Sequence, residues 1–355
     1  MPGTTLPTLS EPPPDPFRER RRARLHERMQ LLGGRFHFET DSPALHSIVQ
    51  RAYAGLPSHR LSGAAPRFLV RLQLTPAQHS RHASESHSEP PRVRPLAGAG
   101  ILCGAMESAN FAAISVEQRS ALIVVSPDML RFPYHIRYEL LEFAVYVLAA
   151  RVQKLLPLHA ACVGRDGQGV LLLGPSGSGK STLTLHCLLQ GLEFLAEDSL
   201  LVRPDGLLAT GVANFLHVRA DSLRFVTDSR SAAQIRRSGV IRRRSGVEKF
   251  EIDLRRPRYG LASAPLRISA VIFLSPADAS GGALLAPLRK AALTRQLVAS
   301  QQYAATQPGW SSFSRQVAAL PAFELRRGGH PLEAAQALIE LLSALPRDRP
   351  AAHGR

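Results

Sequence analysis

Cysteine and tryptophan are scarce in this chain of 355 residues, which has three of the former and one of the latter. The cysteines, Cys103, Cys162 and Cys187, are too few and too widely spaced for a disulfide framework or a metal site. This excludes the small disulfide-rich secreted class of protein. We expect a chain that folds in a reducing cytoplasm.

Long apolar runs are also missing. The most apolar stretch, around residues 140–150, contains Glu142, and no run approaches the length of a membrane-spanning helix. The first residues carry prolines and an acid and then arginines, with no apolar signal segment. We therefore expect neither a membrane span nor secretion.

Acidic residues are outnumbered: there are 28 aspartates and glutamates against 44 lysines and arginines, a net charge of +16. Basic clusters over residues 18–24 and 236–244 would suit a nucleic acid or a membrane surface. Aromatic residues make up only 6%, however, and no nucleic-acid-binding motif accompanies the charge. We therefore interpret the excess positive charge as solvated basic faces, or as a groove for phosphates or an acidic substrate. We favour this over specific nucleic-acid binding.

Composition and pattern divide the chain into four parts. Residues 1–32 form an N-terminal segment, in which residues 1–15 hold five prolines and are predicted to be disordered, while residues 18–32 suit a short basic helix. Residues 33–155 read as a small α+β domain, residues 156–346 as an α/β domain, and residues 347–355 as a tail.

Coarse patterns locate the elements. In the first domain we predict a strand (67–74), a mobile loop (78–94), a hairpin (111–115 and 121–125) and a long helix (134–155). In the second, we predict strands over 158–163, 169–173, 193–196, 200–202, 207–210, 213–218, 268–274 and 322–325. Helices are predicted over 181–190, 290–302, 312–320 and 332–345, and a flexible basic loop over 236–248.

The most informative segment is a glycine-rich loop at residues 174–181. It reads Gly174-Pro175-Ser176-Gly177-Ser178-Gly179-Lys180-Ser181, which satisfies the phosphate-binding pattern G-x-x-x-x-G-K-[ST]. A predicted strand enters this loop and a predicted helix leaves it, as the pattern requires. The sequence therefore predicts a P-loop that binds a nucleoside triphosphate.

Each residue type in the loop has a physical role. The glycines Gly174, Gly177 and Gly179 let the backbone adopt positive φ angles and turn its N–H groups toward a phosphate. Lys180 can reach the β- and γ-phosphates as a point charge, and the hydroxyl of Ser181 can ligate Mg²⁺. We expect a nucleoside triphosphate and Mg²⁺ as cofactors, with Thr182 completing the nucleotide-binding residues.

An acidic pair follows the first predicted strand after the loop. Glu197 and Asp198 can return to the side of Lys180 and Ser181, where a carboxylate can ligate Mg²⁺ or accept a proton from an attacking hydroxyl. An acidic turn at a strand end would leave the same pattern, and spacing alone does not separate the two interpretations.

Other charged residues are ambiguous. His159, placed on the strand before the loop, is either a half-buried sheet histidine or a group that faces the phosphate. Lys249 and the arginines of residues 236–244 are candidates to close over a transferring phosphate. Glu251 and Asp253 alternate on a predicted strand and are expected to face solvent.

The large mechanical ATPases fit poorly. The loop followed by Thr182 and Leu183 is close to that of ABC-type ATPases, but the L-S-G-G-Q-like signature and an apolar strand ending in Asp-Glu are missing. The N-K-x-D base-reading motif of GTPases is missing as well.

Four segments together resemble the catalytic domain of HPr serine kinase/phosphorylase and its kinase-like relatives. They are residues 158–160, the predicted hairpin turn, the glycine-rich loop and residues 191–198. This resemblance implies a P-loop kinase fold of the phosphoenolpyruvate carboxykinase-like type and ATP- and Mg²⁺-dependent transfer to a serine hydroxyl. It also implies roles: Lys180 binds phosphates, Ser181 and Asp198 hold the metal, Asp198 with Glu197 beside it acts as base, and His159 supports the phosphate site.

The chain departs from this family at several positions. Glu197 replaces the first aspartate of the family's acidic pair, and His217 stands where the family has a metal-binding glutamate. The glycine-rich signature associated with phosphorylase activity is not evident, so we expect a kinase of the divergent branch, acting on a hydroxyl of another peptide or protein. Two alternative functions stay open: an ATP-binding regulatory or assembly protein without phosphotransfer, and a small-molecule kinase. The sequence also leaves open whether the chain forms a homo-oligomer.

Overall fold

A computed structural model describes residues 24–61, 63–75, 90–106, 109–279 and 282–346. Three predictions lie outside the described residues: the disorder of residues 1–15, most of the loop over 78–94 and the tail over 347–355. The fold is mixed α/β with several sheets, as expected. The domain boundaries stay a prediction. Among the described helices, none combines the length and the apolar character that crossing a bilayer requires.

A seven-stranded mixed sheet occupies the N-terminal part, in the order β1-β2-β3-β7-β6-β5-β4. Its strands are β1 Leu25–Leu31, β2 Gly34–Thr40, β3 Arg67–Leu74, β4 Arg94–Gly98, β5 Ile101–Ala105, β6 Phe111–Ser115 and β7 Ser120–Val125. The predicted strand over 67–74 and the predicted hairpin over 111–125 are confirmed.

The helix predicted over residues 18–32 is wrong across the described part, where β1 pairs with β2 from Leu25 to Leu31. Outward and inward residues alternate along β1, as a half-buried strand requires. Leu32 and Gly33 connect the two strands with φ angles of 50° and 82°, the backbone of a tight hairpin turn. The arginine-rich residues before this strand obscured its period of two.

Helices cover the sheet and supply much of its core. They are α1 Pro43–Tyr53, a 3-10 turn Pro127–Arg131, α2 Pro133–His135, a π-helical turn Ile136–Leu141 and α3 Glu142–Gln153. The helix predicted over 134–155 is thus confirmed, with a π-helical interruption. Its buried residues, among them Ile136, Leu140 and Leu148, join the apolar cluster under the sheet.

The described residues of the C-terminal part form twelve further strands. They are β8 Leu156–Leu158, β9 Ala161–Arg165, β10 Gln168–Leu173, β11 Glu193–Ala196, β12 Leu200–Arg203, β13 Leu208–Gly211, β14 Phe215–Val218, β15 Gly239–Arg242, β16 Glu248–Asp253, β17 Leu266–Asp278, β18 Leu285–Pro287 and β19 Ala322–Arg327. Nine form one sheet around the path β11-β9-β10-β17-β13-β12-β8, and β14-β16-β15 form a small separate sheet.

The central strand β10 is buried on both faces because helices cover the large sheet from two sides. The helices of the C-terminal part are α4 Lys180–Leu189, a 3-10 turn Ala220–Phe225, α5 Ser229–Arg236, α6 Lys290–Ser300, α7 Gln302–Ala305, α8 Trp310–Val317 and α9 Pro331–Ala344, of which α5 and the 3-10 turn pack on the small sheet. Leu172 packs with residues of α4 and α9, whereas Leu171 packs with residues of α6 and α8. A continuous apolar run is what such a strand needs.

Two predictions in this part are corrected. The predicted strand over 158–163 divides at His159 and Ala160: β8 pairs with β12, whereas β9 pairs with β10 and β11. The predicted loop over 236–248 contains β15, because Val240 and its neighbours pair with β16. Both segments are short, and only long-range pairing defines them.

Candidate functional site

The glycine-rich loop joins β10 to the first turn of α4, so the predicted strand–loop–helix order is present. Gly177 and Gly179 have φ angles of 81° and 99°, in the region that side chains other than glycine rarely adopt. The first N–H groups of any α-helix lack an intrahelical partner, and those of α4 begin at the end of this loop. The positive end of the helix therefore faces the loop.

The Lys180 side chain is buried and folds back across the loop. Its Nζ donates to the carbonyl oxygens of Gly174, at 2.6 Å, and Pro175, at 3.2 Å. Burial lowers the pKa of the ammonium group, although the charges of Asp198 and Glu197 oppose the shift. The ammonium is thus held at the loop, with two carboxylates nearby.

One polar atom of the loop has no partner of its own. The hydroxyl oxygen of Ser178 is buried and makes no hydrogen bond with any described residue. An unpaired buried hydroxyl is costly unless a ligand satisfies it. The loop therefore offers an unsatisfied polar group in addition to its N–H groups.

Ser181 and Glu197 are brought together. The Ser181 hydroxyl donates to Oε1 of Glu197, and Oε2 of Glu197 accepts the backbone N–H of His217 at 2.9 Å. Glu197 is only 5% exposed, so this carboxylate is withdrawn from bulk water. A hydroxyl beside a carboxylate is a pair of hard oxygen ligands, the type that Mg²⁺ prefers.

The Asp198 carboxylate faces a cation instead of Ser181. Its Oδ2 accepts a hydrogen bond from Nη2 of Arg243 at 3.0 Å. Burial would raise the pKa of Asp198, but Arg243, together with Lys249 and His159, holds it below its ordinary value. Asp198 is therefore an ionised carboxylate at neutral pH, and its pairing with Ser181 around a metal stays a prediction.

His159 lies between β8 and β9 rather than on a strand. Its Nδ1 is 3.0 Å from the carbonyl oxygen of Asp198, and the side chain of Gln301 makes two hydrogen bonds to its backbone. A cleft of about 310 Å³ opens here, lined by His159, Asp198, Gln301 and Tyr303 among others. The histidine thus contacts the backbone of the acidic pair, at the wall of an open cleft.

Thr182 points to a different neighbour. Its hydroxyl lies 2.8 Å from the hydroxyl of Ser222, in the 3-10 turn that follows β14. The contact joins α4 to the small sheet region. The predicted nucleotide contact of Thr182 stays a prediction.

A buried ionic network lies behind Glu197. The ring of His217 is placed between two carboxylates, with Nδ1 3.3 Å from Oε2 of Glu197 and Nε2 3.3 Å from Oε1 of Glu251. Burial alone would lower the pKa of His217, but these two acids raise it above its ordinary value. The expectation that Glu251 faces solvent is therefore wrong.

Arginines from the N-terminal part complete the network. Glu251 accepts hydrogen bonds from Arg137, in the π-helical turn, and from Arg51 of α1 at 3.1 Å. Although burial opposes it, hydrogen bonds from His217 and Arg137 lower the pKa of the Glu251 carboxyl to about 2. Asp253, two residues on, pairs with Arg255 and is more open to solvent. Nothing local in the sequence indicates the contacts of Glu251, because its partners His217, Arg137 and Arg51 are more than 30 residues away.

Replacing Arg137 with methionine should lower the free energy of unfolding by about 3 kcal/mol, because the change leaves part of a buried carboxylate charge uncompensated. Urea unfolding at pH 7 measures this. The matched change Arg131→Met, at an exposed position, should cost less than about 0.5 kcal/mol. Equal midpoints for the two variants would contradict a structural role for the network.

Comparisons with known proteins do not assign this chain to a family. No profile of a known protein family matches the sequence, and no curated protein matches it. One solved structure with a distant likeness is that of the Hpr(Ser) kinase/phosphatase from Coxiella burnetii. It is 14% identical, with a TM-score of 0.27, and the match covers 52% of this chain and 95% of that chain.

Proposed function

We propose that this protein binds ATP with Mg²⁺ at the glycine-rich loop and transfers the terminal phosphoryl group to a hydroxyl, a serine of a peptide or protein being the acceptor that the sequence favours. The observation that carries the proposal is the contact between the Ser181 hydroxyl and the Glu197 carboxylate, beside the buried ammonium of Lys180. Phosphoryl transfer requires a cation at the phosphates, oxygen ligands for the metal and N–H groups directed at the phosphates.

The residues present suit a magnesium ion. Ser181 and Glu197 would hold it, with Asp198 as the further carboxylate that the sequence suggests, and these are oxygen donors throughout. Mg²⁺, when bound, neutralises charge on the β- and γ-phosphates. The unpaired hydroxyl of Ser178 supports a ligand inside the loop, because a phosphate oxygen would accept its hydrogen bond.

The chain supplies a proton acceptor and cations for the transfer itself. As the acceptor oxygen bonds to the γ-phosphorus, the bond to the β–γ bridging oxygen breaks and its electron pair leaves with ADP. The acceptor proton passes to the Asp198 carboxylate. Despite burial, Arg243 holds the pKa of Asp198 below its ordinary value, so the carboxylate is ionised and can accept that proton. Arg243 and Lys249 add positive charge near the transferred group.

The cleft beside Asp198 gives the acceptor a route. It is lined by His159, Asp198, Gln301 and Tyr303 among others, and the proposed acceptor side chain enters here, next to the residue that supplies the proposed base. His159 stands at this wall and contacts the backbone of Asp198. Its proposed role is to hold the acidic segment in place beside the phosphate.

Titration with ATP, ADP and AMP in the presence of Mg²⁺ tests the binding half of the proposal. Affinity should fall steeply from ATP to AMP, because the loop contacts the terminal phosphates. Ser181→Ala should weaken Mg²⁺-dependent ATP binding at least tenfold, roughly the cost of disturbing a metal site. Ser343→Ala, an exposed change on α9, serves as the control and should have no effect. Equal affinity for ATP and AMP would refute the assignment of the loop.

A further inference from the structure

We propose that His217 is a positioning residue of this site, which fixes the Glu197 carboxylate against the Ser181 hydroxyl from behind. The inference rests on the proposed function for the meaning of that contact, although the contact itself can be tested without nucleotide. His217 would thus have a role in the site although it stands where the HPr kinase family has a metal-binding glutamate.

His217 holds one oxygen of Glu197 with two groups at once. Oε2 of Glu197 accepts the backbone N–H of His217 at 2.9 Å and lies 3.3 Å from its ring Nδ1. The other oxygen, Oε1, accepts the hydroxyl of Ser181. With Oε2 bound from behind, the carboxylate can present only Oε1 to the loop. Its orientation is therefore set by His217.

The ring is itself held from the opposite side. His217 on β14 and Glu251 on β16 are directly opposed in the antiparallel register, and Nε2 lies 3.3 Å from Oε1 of Glu251. Arg137 and Arg51 bind Glu251 in turn. The imidazole therefore stands in a fixed plane, with both nitrogens engaged by carboxylates.

This arrangement excludes a direct role for His217 as a metal ligand in the same geometry. A ligating imidazole needs a free nitrogen lone pair directed at the ion. Neither ring nitrogen is free, since one faces Glu197 and the other Glu251. His217 acts through Glu197, in the way that outer partners orient the ligands of a metal site.

Two amide variants separate the two ring nitrogens. The side-chain nitrogen of asparagine reaches about the position of Nδ1, and that of glutamine about the position of Nε2. His217→Asn should therefore keep the side-chain contact with Glu197 and lose that with Glu251, and His217→Gln should do the reverse. The backbone N–H of residue 217 binds Oε2 of Glu197 in both variants. Each variant loses one hydrogen bond to a buried carboxylate, so thermal unfolding should show similar losses of stability.

Magnesium dependence then distinguishes positioning from a purely structural role. In titrations of Mg²⁺ at fixed ATP, His217→Asn should stay within about threefold of the wild type. His217→Gln should need about 10- to 100-fold more Mg²⁺, the usual effect of losing an orienting partner. If the two variants are equally impaired, or the glutamine variant equals the wild type, His217 does not position Glu197.

Crystal structures of the two nucleotide-free variants provide the independent readout. The Ser181–Glu197 contact should be unchanged in His217→Asn and lengthened in His217→Gln, where only the backbone N–H of residue 217 still binds Oε2 of Glu197. An unchanged contact in both would overturn the inference. If the wild type binds no Mg²⁺–ATP, the proposed function fails, yet these two structures still decide whether His217 holds the carboxylate.

Discussion

Replacing Lys180 with methionine should weaken ATP binding by about 100-fold or more and remove measurable turnover. An ammonium that bonds the β- and γ-phosphates contributes about 1.5–3 kcal/mol for each hydrogen bond to a charged group, and 1.4 kcal/mol is a factor of ten. Methionine replaces the apolar stem of lysine, one atom shorter overall, but offers no donor. Fluorescence titration with an ATP analogue and ADP release measure the two effects.

The Lys180→Met variant should remain folded. Lys180 is only 6% exposed, and burial lowers the pKa of its ammonium, so its charge is held at a cost. Removing that charge therefore should not lower the urea midpoint appreciably. Lys154→Met is the matched control, because Lys154 is exposed at the end of α3. ATP binding within threefold of the wild type in Lys180→Met would contradict the assigned phosphate contact.

Replacing Asp198 with asparagine should lower the rate of phosphoryl transfer by about 10²- to 10⁴-fold, the usual contribution of a positioned proton acceptor. The amide has the same shape, and its oxygen can still accept the hydrogen bond from Arg243, but it cannot take up the acceptor proton. ATP affinity should change less than about fivefold, because the amide oxygen can still ligate Mg²⁺ and the neutral amide lessens repulsion with the phosphates. The expected result is thus a loss in kcat with ATP binding retained.

Transfer of label from [γ-³²P]ATP to a serine-containing peptide library, with release to water as the basal reaction, measures this loss. Asp205→Asn is the control, since Asp205 lies in the turn after β12, where it accepts a hydrogen bond from Ser312. An Asp198→Asn enzyme as active as the wild type would remove Asp198 from the role of base. A parallel loss of ATP binding would mean that Asp198 acts mainly on the nucleotide.

The sequence was informative where the determinants are local. The glycine-rich pattern, the apolar run of β10 and the helix α4 lie within about twenty residues, so propensity and motif agree on them. The proximity of Glu197 to Ser181 also followed from the short return of the chain after α4. These elements needed no knowledge of the rest of the fold.

The network behind Glu197 could not be predicted in this way. His217 and Glu251 meet only because β14 and β16 pair, and Arg137 arrives from a helix in a different part of the chain. A strand with alternating acids has the same pattern whether it faces solvent or a buried arginine. Burial of Glu251 is therefore a tertiary property.

The other errors have similar causes. The apolar neighbours of His159 predict a strand through it, but β8 and β9 pair with different partners and the histidine lies between them. Arg243 was one of several equivalent arginines in an apparent loop. The pairing of β15 with β16 ends at Arg242, and the next residue, Arg243, bonds Asp198. Only the pairing of β15 with β16 in the folded chain distinguishes Arg243 from the neighbouring arginines.

The most direct test of the account follows the γ-phosphoryl group in the wild-type protein. Incubation with Mg²⁺ and either [γ-³²P]ATP or [α-³²P]ATP should transfer label to a peptide hydroxyl, or to water, from the γ-labelled nucleotide alone, and should require Mg²⁺. A protein that binds ATP tightly but releases no labelled phosphate to water or to any peptide would contradict the account. The loop would then serve nucleotide binding without catalysis.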